Sequence, residues 1–416
     1  MLHVHSFAAG QWIAPGSGAR SIESALTGAV IADAGNVTLD VQAMLEYGRT
    51  IGSPALQAMT FHDRAKMLKA LALHLREHRQ ALYDLSFNTG GTQSDHLIDI
   101  DGGIGTMSVF ASKGRRDLPD AHIYLDGPPE QLGRTGTFMG RHICTPLQGV
   151  AVHINAFNFP VWGMLEKLAP TLLAGMPAII KPGTATCYVT EACVRIMLDS
   201  GILPAGALQL VSGGIGDMLD HLDLQDVVTF TGSAQTALKL RKNGNLLRNC
   251  VRFTAEQDSL NASILGPDAK VGTHEFDLFI KEVQGEITAK AGQKCTAIRR
   301  VLVPQNTSDA VIDALRISLS NVILGDPRHN DTTMGALVSN AQKTDVLAKI
   351  ALIGCDAERV IGDPESHSMS HSNGAYLPPM IYRCADPDNA QHVHDTEAFG
   401  PVSTIMEYSD LGHATA

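Results

Sequence analysis

The stretch Val150-Ala151-Val152-His153-Ile154-Asn155-Ala156-Phe157-Asn158-Phe159-Pro160 decides the fold. Its first five residues read as a buried strand, because a short apolar run closed by a polar loop suits a strand covered on both faces. Pro160 suits the first turn of a helix that carries Leu165 and Leu168 and ends at Gly175. Ala178-Ile179-Ile180 follows as a second strand, ending at Lys181-Pro182. The alternation continues through a helix around Thr190–Ser200, a strand Ala207–Val211 and a short helix near Asp217–His221. It closes on a strand Val227–Phe230 that ends in Thr231-Gly232-Ser233. Strand and helix repeated with short connections predict an α/β fold built on a doubly wound parallel sheet. Ligands in such sheets bind beyond the carboxyl ends of the strands. Asn158, Lys181 and Ser233 are therefore the first polar residues to consider.

On the N-terminal side, Phe61–Asn88 is an amphipathic helix, with Leu68, Leu71 and Leu75 on one face and Gly90-Gly91 at its end. On the C-terminal side a second α/β region begins near Leu260. It has helices over Asp277–Glu282, Ala310–Leu319 and Gln342–Ile353, and strands over Arg300–Pro304 and Val402–Tyr408. A chain of 416 residues exceeds what one hydrophobic core usually spans, so two domains are expected, 1–257 and 258–416. After Tyr408 there is neither a stop signal nor a capping helix, and the chain reads as a fragment. Gly102-Gly103-Ile104-Gly105 and Gly213-Gly214-Ile215-Gly216 do not fit GxGxxG and read as loop glycines.

The formal net charge of -11 argues against a nucleic-acid partner. No run of ~18 residues is apolar and uncharged, so no membrane span is expected. The N-terminus has no secretory pattern, and the seven cysteines are scattered without a CxxC, which suits reduced thiols in the cytoplasm. His3/His5, His367/His371 and His392/His394 fall in no HExxH frame and read as surface loops, so no metal ligand is assigned.

Gly292-Gln293-Lys294-Cys295 puts a thiol in a turn just past a helix. A thiolate can attack a carbonyl carbon, and Lys290, Lys294, Arg299 and Arg300 would favour that ionised form. Glu256, after the apolar Val251–Phe253, is placed to serve as a base. Asn158 and the Cys295 amide could donate to a developing oxyanion. Hydrolysis would need only Cys295, Glu256 and water. Oxidation would also need a dinucleotide, which Lys181 and the helix start at Thr231-Gly232-Ser233 could hold. An inactive nucleotide-binding module would need only the latter.

Taken together, Ala156-Phe157-Asn158-Phe159-Pro160, Lys181-Pro182, Phe230-Thr231-Gly232-Ser233, Glu256, Gly292-Gln293-Lys294-Cys295 and Glu397-Ala398-Phe399-Gly400-Pro401 resemble the aldehyde dehydrogenase superfamily in order and spacing. The resemblance implies that family's fold: a cofactor domain over 1–257 with a hairpin excursion near 126–146, and a catalytic domain over 258–416, incomplete at its C-terminus. It implies Cys295 as nucleophile, Asn158 as oxyanion donor and Glu256 as base. It also implies a cofactor site of Phe157, Lys181, Thr184, Thr231, Gly232, Ser233, Glu397 and Phe399. NAD-preferring members carry glutamate where this chain has Thr184, so NADP is expected, with NAD possible, because no carboxylate repels a 2′-phosphate. The usual glycine four positions after Ser233 is Ala237. His153–Pro160, Trp162–Pro170, Asp258–Asn261 and Ala291–Arg300 are similar to a narrower group that oxidises CoA-linked semialdehydes in bacterial phenylacetate degradation, with a sister enzyme in benzoyl-CoA catabolism. That likeness implies a CoA-linked aldehyde substrate, a homo-oligomer in the full-length protein and a hydratase domain downstream.

Overall fold

A computed structural model describes residues 1–365 and 373–416. The chain divides into two compact units. The first comprises Met1–Ile22, Ile31–Asp84 and Leu97–Gln257; the second comprises Glu23–Val30, Leu85–His96 and Asp258–Ala416. The two short N-terminal segments join the second unit through main-chain bonds. Ala25 N–H donates to Asn88 O at 2.9 Å, and Ala375 N–H donates to Ala25 O at 2.8 Å.

The first unit is built on a seven-stranded sheet. Its strands, in chain order, are β1 (Ser6–Ala8), β2 (Gln11–Ile13), β3 (Ala151–Ile154), β4 (Ala178–Lys181), β5 (Leu208–Leu210), β6 (Val227–Thr231) and β7 (Arg252–Glu256). They lie in the order β7-β6-β3-β4-β5-β1-β2. The five from β7 to β5 are parallel, and β1 and β2 add antiparallel at one edge. The chain runs outward from β3 through β4 to β5, then returns to β6 on the other side of β3. That reversal makes the carboxyl ends of β3 and β6 the switch point where open α/β sheets form ligand crevices. Val152, Ile154, Ile179, Val228 and Phe230 form the apolar core along these strands. β3 is buried at every position, which is why it shows no alternation in sequence.

Helix α1 (Phe61–Ser86) opens on a reciprocal cap: Asp63 N–H donates to Thr60 Oγ1, and Thr60 N–H donates to Asp63 Oδ2. It buries Leu68, Leu71 and Leu75 completely, each contributing roughly 1.5–3 kcal/mol of transfer free energy. One 3-10 turn follows, and Gly90 closes it at φ 88°. Helix α2 (Gly102–Arg116) corrects the loop expectation for Gly102, Gly103 and Gly105, which are all helical. The reason is tertiary: a Cβ on Gly102 would stand 3.0 Å from the Trp162 ring, and one on Gly103 would stand 2.8 Å from Trp162 Cα. Close packing at Gly102 and Gly103 outweighs the roughly 1 kcal/mol helix cost of each, whereas a Cβ on Gly105 would meet nothing within 4 Å. Helix α3 (Trp162–Leu173) begins two residues after Pro160, because buried Asp99 Oδ1 accepts from Val161 N–H at 3.1 Å and Trp162 N–H at 2.8 Å. Gly213–Gly216 lie in a loop, as read from the sequence. The exposed strands Tyr124–Gln131 and Met139–Cys144 pair antiparallel as a hairpin.

The second unit carries a five-stranded sheet of β8 (Asn261–Ile264), β9 (Ile298–Pro304), β10 (Glu358–Ile361), β11 (Met380–Cys384) and β12 (Val402–Tyr408), ordered β8-β9-β12-β11-β10. All neighbours are parallel except β10 and β11. Val301, Val303, Ile381 and Ile405 face the helix α4 (His274–Thr288) side of its core. After β12 the chain does form a short helix, Leu411–Thr415, whose start is capped by Asp410 accepting from His413 N–H at 2.9 Å. This corrects the expectation of no capping helix. The aspartate signal was present in the sequence, but five residues are too few to show periodicity. Among the described residues no helix is long and apolar enough to cross a membrane.

Candidate active site

In the first unit, the residues singled out from the sequence gather beyond strand ends. β3 leads directly into Asn155–Asn158, and Asn158 is buried. Phe157 is held by the loop after β4. Its carbonyl accepts from Thr186 Oγ1 at 3.0 Å, and Gly183 approaches so closely that a Cβ there would meet the Phe157 backbone at 2.8 Å. Lys181 ends β4. Burial pulls its pKa down, and the nearby Cys187 opposes this. Burial in turn pushes the Cys187 thiol up to about 12. Thr184 starts the 3-10 turn Thr184–Thr186. Thr231 ends β6, and Gly232 N–H donates to Glu256 O at 3.1 Å. Ser233 caps the helix Ala234–Arg241 by accepting from Thr236 N–H. Ala237, in that helix, is buried.

Glu256, the last residue of β7, is exposed, and its Oε2 accepts from Thr231 Oγ1 at 3.4 Å. Two neighbours on α3 were not assigned from the sequence. Lys167 donates to Thr231 Oγ1 and, at 3.1 Å, to Asn155 Oδ1. Burial lowers its pKa, against the pull of Glu166 and Glu256. The Glu166 carboxyl is raised by burial and by the charge of Glu256, with Lys167 opposing. The adjacency of Glu166-Lys167 in sequence gave no sign of a role, since paired charges on a helix are usually solvated.

In the second unit, Cys295 lies in the turn before β9 and is half-buried. Three successive residues ahead of it, Lys290, Ala291 and Gly292, have φ of 54°, 51° and 68°. Left-handed backbone at two non-glycine residues costs on the order of 1–3 kcal/mol each, so the surroundings must impose it. Asp95 does so at one end, accepting from Lys290 N–H at 2.8 Å. Asn261 and Ser259 do so at the other. Asn261 Nδ2 and Ser259 Oγ both donate to Cys295 O at 2.6 Å, and Asn261 also reaches Ala297 O at 3.1 Å. Gly292 is required, because a Cβ would fall 2.2 Å from Gly400 O.

Arg299 ties this turn to the segment before β12. Its guanidinium donates to Gly292 O and Gly400 O, each at 2.7 Å, and lies 3.8 Å from the Glu397 carboxylate. Its charge also sits 5.6 Å from the Phe399 ring centre. Burial brings the Arg299 pKa down to about 10 despite Glu397. Burial likewise raises the buried Glu397 carboxyl, with Arg299 opposing. Two of the cations expected to surround the thiol are engaged elsewhere: Lys294 pairs with Glu286 at 2.7 Å, and Arg300 Nε donates to Leu260 O at 2.9 Å. The structure thus brings Cys295, Glu397 and Phe399 onto adjacent strand starts of one unit. It places Asn158, Lys181, Thr231, Ser233 and Glu256 on strand ends of the other.

Among the described residues, one group of possible metal ligands converges: His74, Glu77 and His78 on α1, with ligand atoms within 4.8 Å of one another. His3 pairs with Asp33 at 2.9 Å, and His392 and His394 form part of a one-turn helix. His367 and His371 lie outside the described residues.

Residues 12–416 match the aldehyde dehydrogenase family. A 3,4-dehydroadipyl-CoA semialdehyde dehydrogenase of Aromatoleum evansii is 41% identical over 411 residues, covering 98% of this chain and 80% of that protein. A geranial dehydrogenase of Castellaniella defragrans is 28% identical over 415 residues, covering 98% of this chain and 82% of that protein. Among solved structures, a Staphylococcus aureus betaine aldehyde dehydrogenase in complex with NAD+ superposes with a TM-score of 0.84 at 23% identity, over 99% of this chain and 79% of that one. A methylmalonate-semialdehyde dehydrogenase from Oceanimonas doudoroffii gives 0.86 at 20% identity, over 100% and 82%. These two likenesses establish the fold.

Proposed function

Since this chain belongs to the aldehyde dehydrogenase family, and so is an NAD(P)-dependent oxidoreductase acting on an aldehyde, we propose that it oxidises a CoA-linked semialdehyde with NADP. The substrate class is that of 3,4-dehydroadipyl-CoA semialdehyde. The observation that carries this reading is the 41% identity, along 98% of the chain, to a protein named for that substrate. The other expected substrate, the longer semialdehyde of phenylacetate degradation, is the comparison the assay must include.

The residues at the ends of β3, β4 and β6 fit a dinucleotide. Lys181 is a largely buried cation whose side chain has no ion pair among the described residues. Ser233 opens a helix at the switch point of the sheet. Thr184, three positions beyond Lys181, brings no negative charge to the place where a 2′-phosphate would sit, which favours NADP. Phe157, Thr231 and Gly232 would line the same site, with Glu397 and Phe399 contributing from the segment before β12. The dinucleotide supplies the hydride acceptor when bound.

In this reading residues 1–257 hold the cofactor and residues 258–416 bring the nucleophile. Cys295 adds through Sγ to the aldehyde carbon, giving a thiohemiacetal. Asn158 Nδ2 and the Cys295 N–H donate to its oxyanion, a contribution worth roughly 2.7–4 kcal/mol per donor in comparable sites. Loss of hydride from that carbon leaves a thioester on Sγ. Glu256 takes a proton from water, whose oxygen attacks the thioester and frees the carboxylic acid and the thiol. The clamp on Cys295 O by Asn261 and Ser259 fixes the backbone from which both the thiol and its N–H project.

The test is to incubate the chain with NADP or NAD and with each of the two CoA-linked semialdehydes, following reduced nicotinamide. NADP-dependent oxidation of the 3,4-dehydroadipyl compound, lost by on the order of 10³-fold or more in Cys295→Ala, is expected. Turnover by Cys295→Ala at the parent rate, or activity confined to aldehydes without CoA, would sink the reading.

A further inference from the structure

Helices α1 and α2, both in the first unit, carry polar stripes at helical spacing on their solvent sides. On α1 the stripe includes Lys69, Leu73 and Arg76; on α2 it includes Ser108, Ser112 and Arg115. The two stripes line one cavity of about 540 Å³. No carboxylate belongs to its lining. At its margin Arg116 is paired with Asp117, and His62 meets Leu118 O at 2.9 Å. The side chains of Lys69, Arg76 and Arg115 have no ion pair or hydrogen bond among the described residues. Three uncompensated cations converging on a protein of net charge -11 form a local positive field against the background. The volume suits a nucleotide-sized ligand. Guanidinium groups pair with phosphate in bidentate fashion and stack on planar rings. Leu73 is half-exposed, giving a base an apolar surface to lie on.

The cavity is connected to the candidate site by α2 itself. That helix starts against Trp162, four residues beyond Asn158, with the glycines at 102 and 103 in contact with it. Arg115, in its last turn, lies thirteen residues on from Gly102, about 20 Å along the axis at 1.5 Å per residue. A CoA thioester carries its phosphates at the far end of a long arm from its acyl group. We propose that this groove binds the 3′-phosphoadenosine diphosphate end of the substrate's CoA moiety. The assignment rests on the CoA-linked reading above, and it names the part of the protein that distinguishes such a substrate from a plain aldehyde.

Two measurements test it. In the first, the full chain saturated with NADP is titrated calorimetrically with adenosine 3′,5′-bisphosphate, CoA, AMP and inorganic phosphate. In the second, KM and kcat are compared for the CoA-linked semialdehyde and for an unlinked medium-chain aldehyde. Both are repeated on the triple variant Lys69→Ser, Arg76→Ser, Arg115→Ser, whose positions are exposed. The parent should bind the bisphosphate and CoA at least tenfold more tightly than AMP or phosphate. The variant should lose at least tenfold in both affinities and show a tenfold higher KM for the CoA-linked substrate, with kcat and the unlinked aldehyde unchanged. Equal bisphosphate affinity in variant and parent, or equal KM for the CoA-linked substrate, overturns the proposal. Phosphate binding as tightly as the bisphosphate overturns it too, in favour of a simple anion site. If the parent oxidised no CoA-linked aldehyde, the functional reading would fail while the titration still reported on the groove.

Discussion

The two units position their chemistry by different means. In the first, the candidate residues follow the strands: Asn158 after β3, Lys181 at the end of β4, Thr231 and Ser233 at and beyond the end of β6, Glu256 at the end of β7. The parallel ladder fixes where each strand stops, so the main chain does most of the placing. In the second, Cys295 and Glu397–Phe399 precede β9 and β12. No ladder reaches them, and side chains hold them instead: Arg299 on Gly292 O and Gly400 O, Asn261 on Cys295 O, Asp95 on Lys290 N–H. A site placed by the ladder tolerates loss of one side chain better than a site held by clamps.

The largest expected effect tests the clamp directly. Arg299→Met leaves Glu397 buried without its cation and two carbonyls without their donor, and should cost about 3–5 kcal/mol in urea unfolding. A loss below about 1 kcal/mol would break the contrast between the units.

Next is a property the units share. His153 in the first and His96 in the second are buried, and burial chiefly brings each pKa down from 6.5 to about 3, with Lys167 and Lys290 adding to the effect. The unfolded chain therefore binds protons below pH 6.5 that the folded chain refuses. The associated stability is present above that pH and is lost as pH falls. Between pH 7 and 5 each histidine should remove about 2 kcal/mol. His153→Gln, which can keep a bond to Thr171 Oγ1, should abolish its share, as read from urea midpoints at the two pH values. An unchanged pH dependence would show that His153 takes up its proton in the folded state.

A smaller effect sharpens the contrast. Asn261→Ala removes one of the two donors to Cys295 O and the side-chain donor to Ala297 O, and should cost roughly 1–2 kcal/mol, with kcat falling while NADP affinity stays constant. Matching losses in kcat and cofactor affinity would count against a clamp that acts on the thiol turn alone. The smallest expected effect is a gain. Gly285 is exposed within α4, and a Cβ there would meet nothing within 4 Å. Gly285→Ala should therefore raise stability by about 0.5–1 kcal/mol in thermal unfolding.

This difference between the units also explains what was readable beforehand. The strands from Val150 to Phe230 were legible because buried parallel strands are short apolar runs between turn residues, and their polar ends follow by rule. Cys295 stood out as a thiol in a turn among cations, and Glu397 only through motif likeness, since no periodicity marks a residue that precedes a strand. Arg299 was read only as a cation near the thiol and Asn261 only as part of a motif likeness, because an arginine or asparagine in sequence does not reveal which distant carbonyl it will meet. Gly102 and Gly103 misled for the same reason: the close approach of Trp162, by its ring at Gly102 and its backbone at Gly103, leaves no room for a Cβ.

The sequence by itself determined the doubly wound sheet, the amphipathic α1, the turn carrying Cys295 and the family to which these belong, because each is encoded in the spacing of neighbouring residues. Only the tertiary structure decided that Glu166 and Lys167 stand beside Glu256, that Arg299 binds two loops, and that Lys69, Arg76 and Arg115 share a groove. Those arrangements join residues far apart in the chain, and their energies depend on burial and on partners that local pattern does not specify.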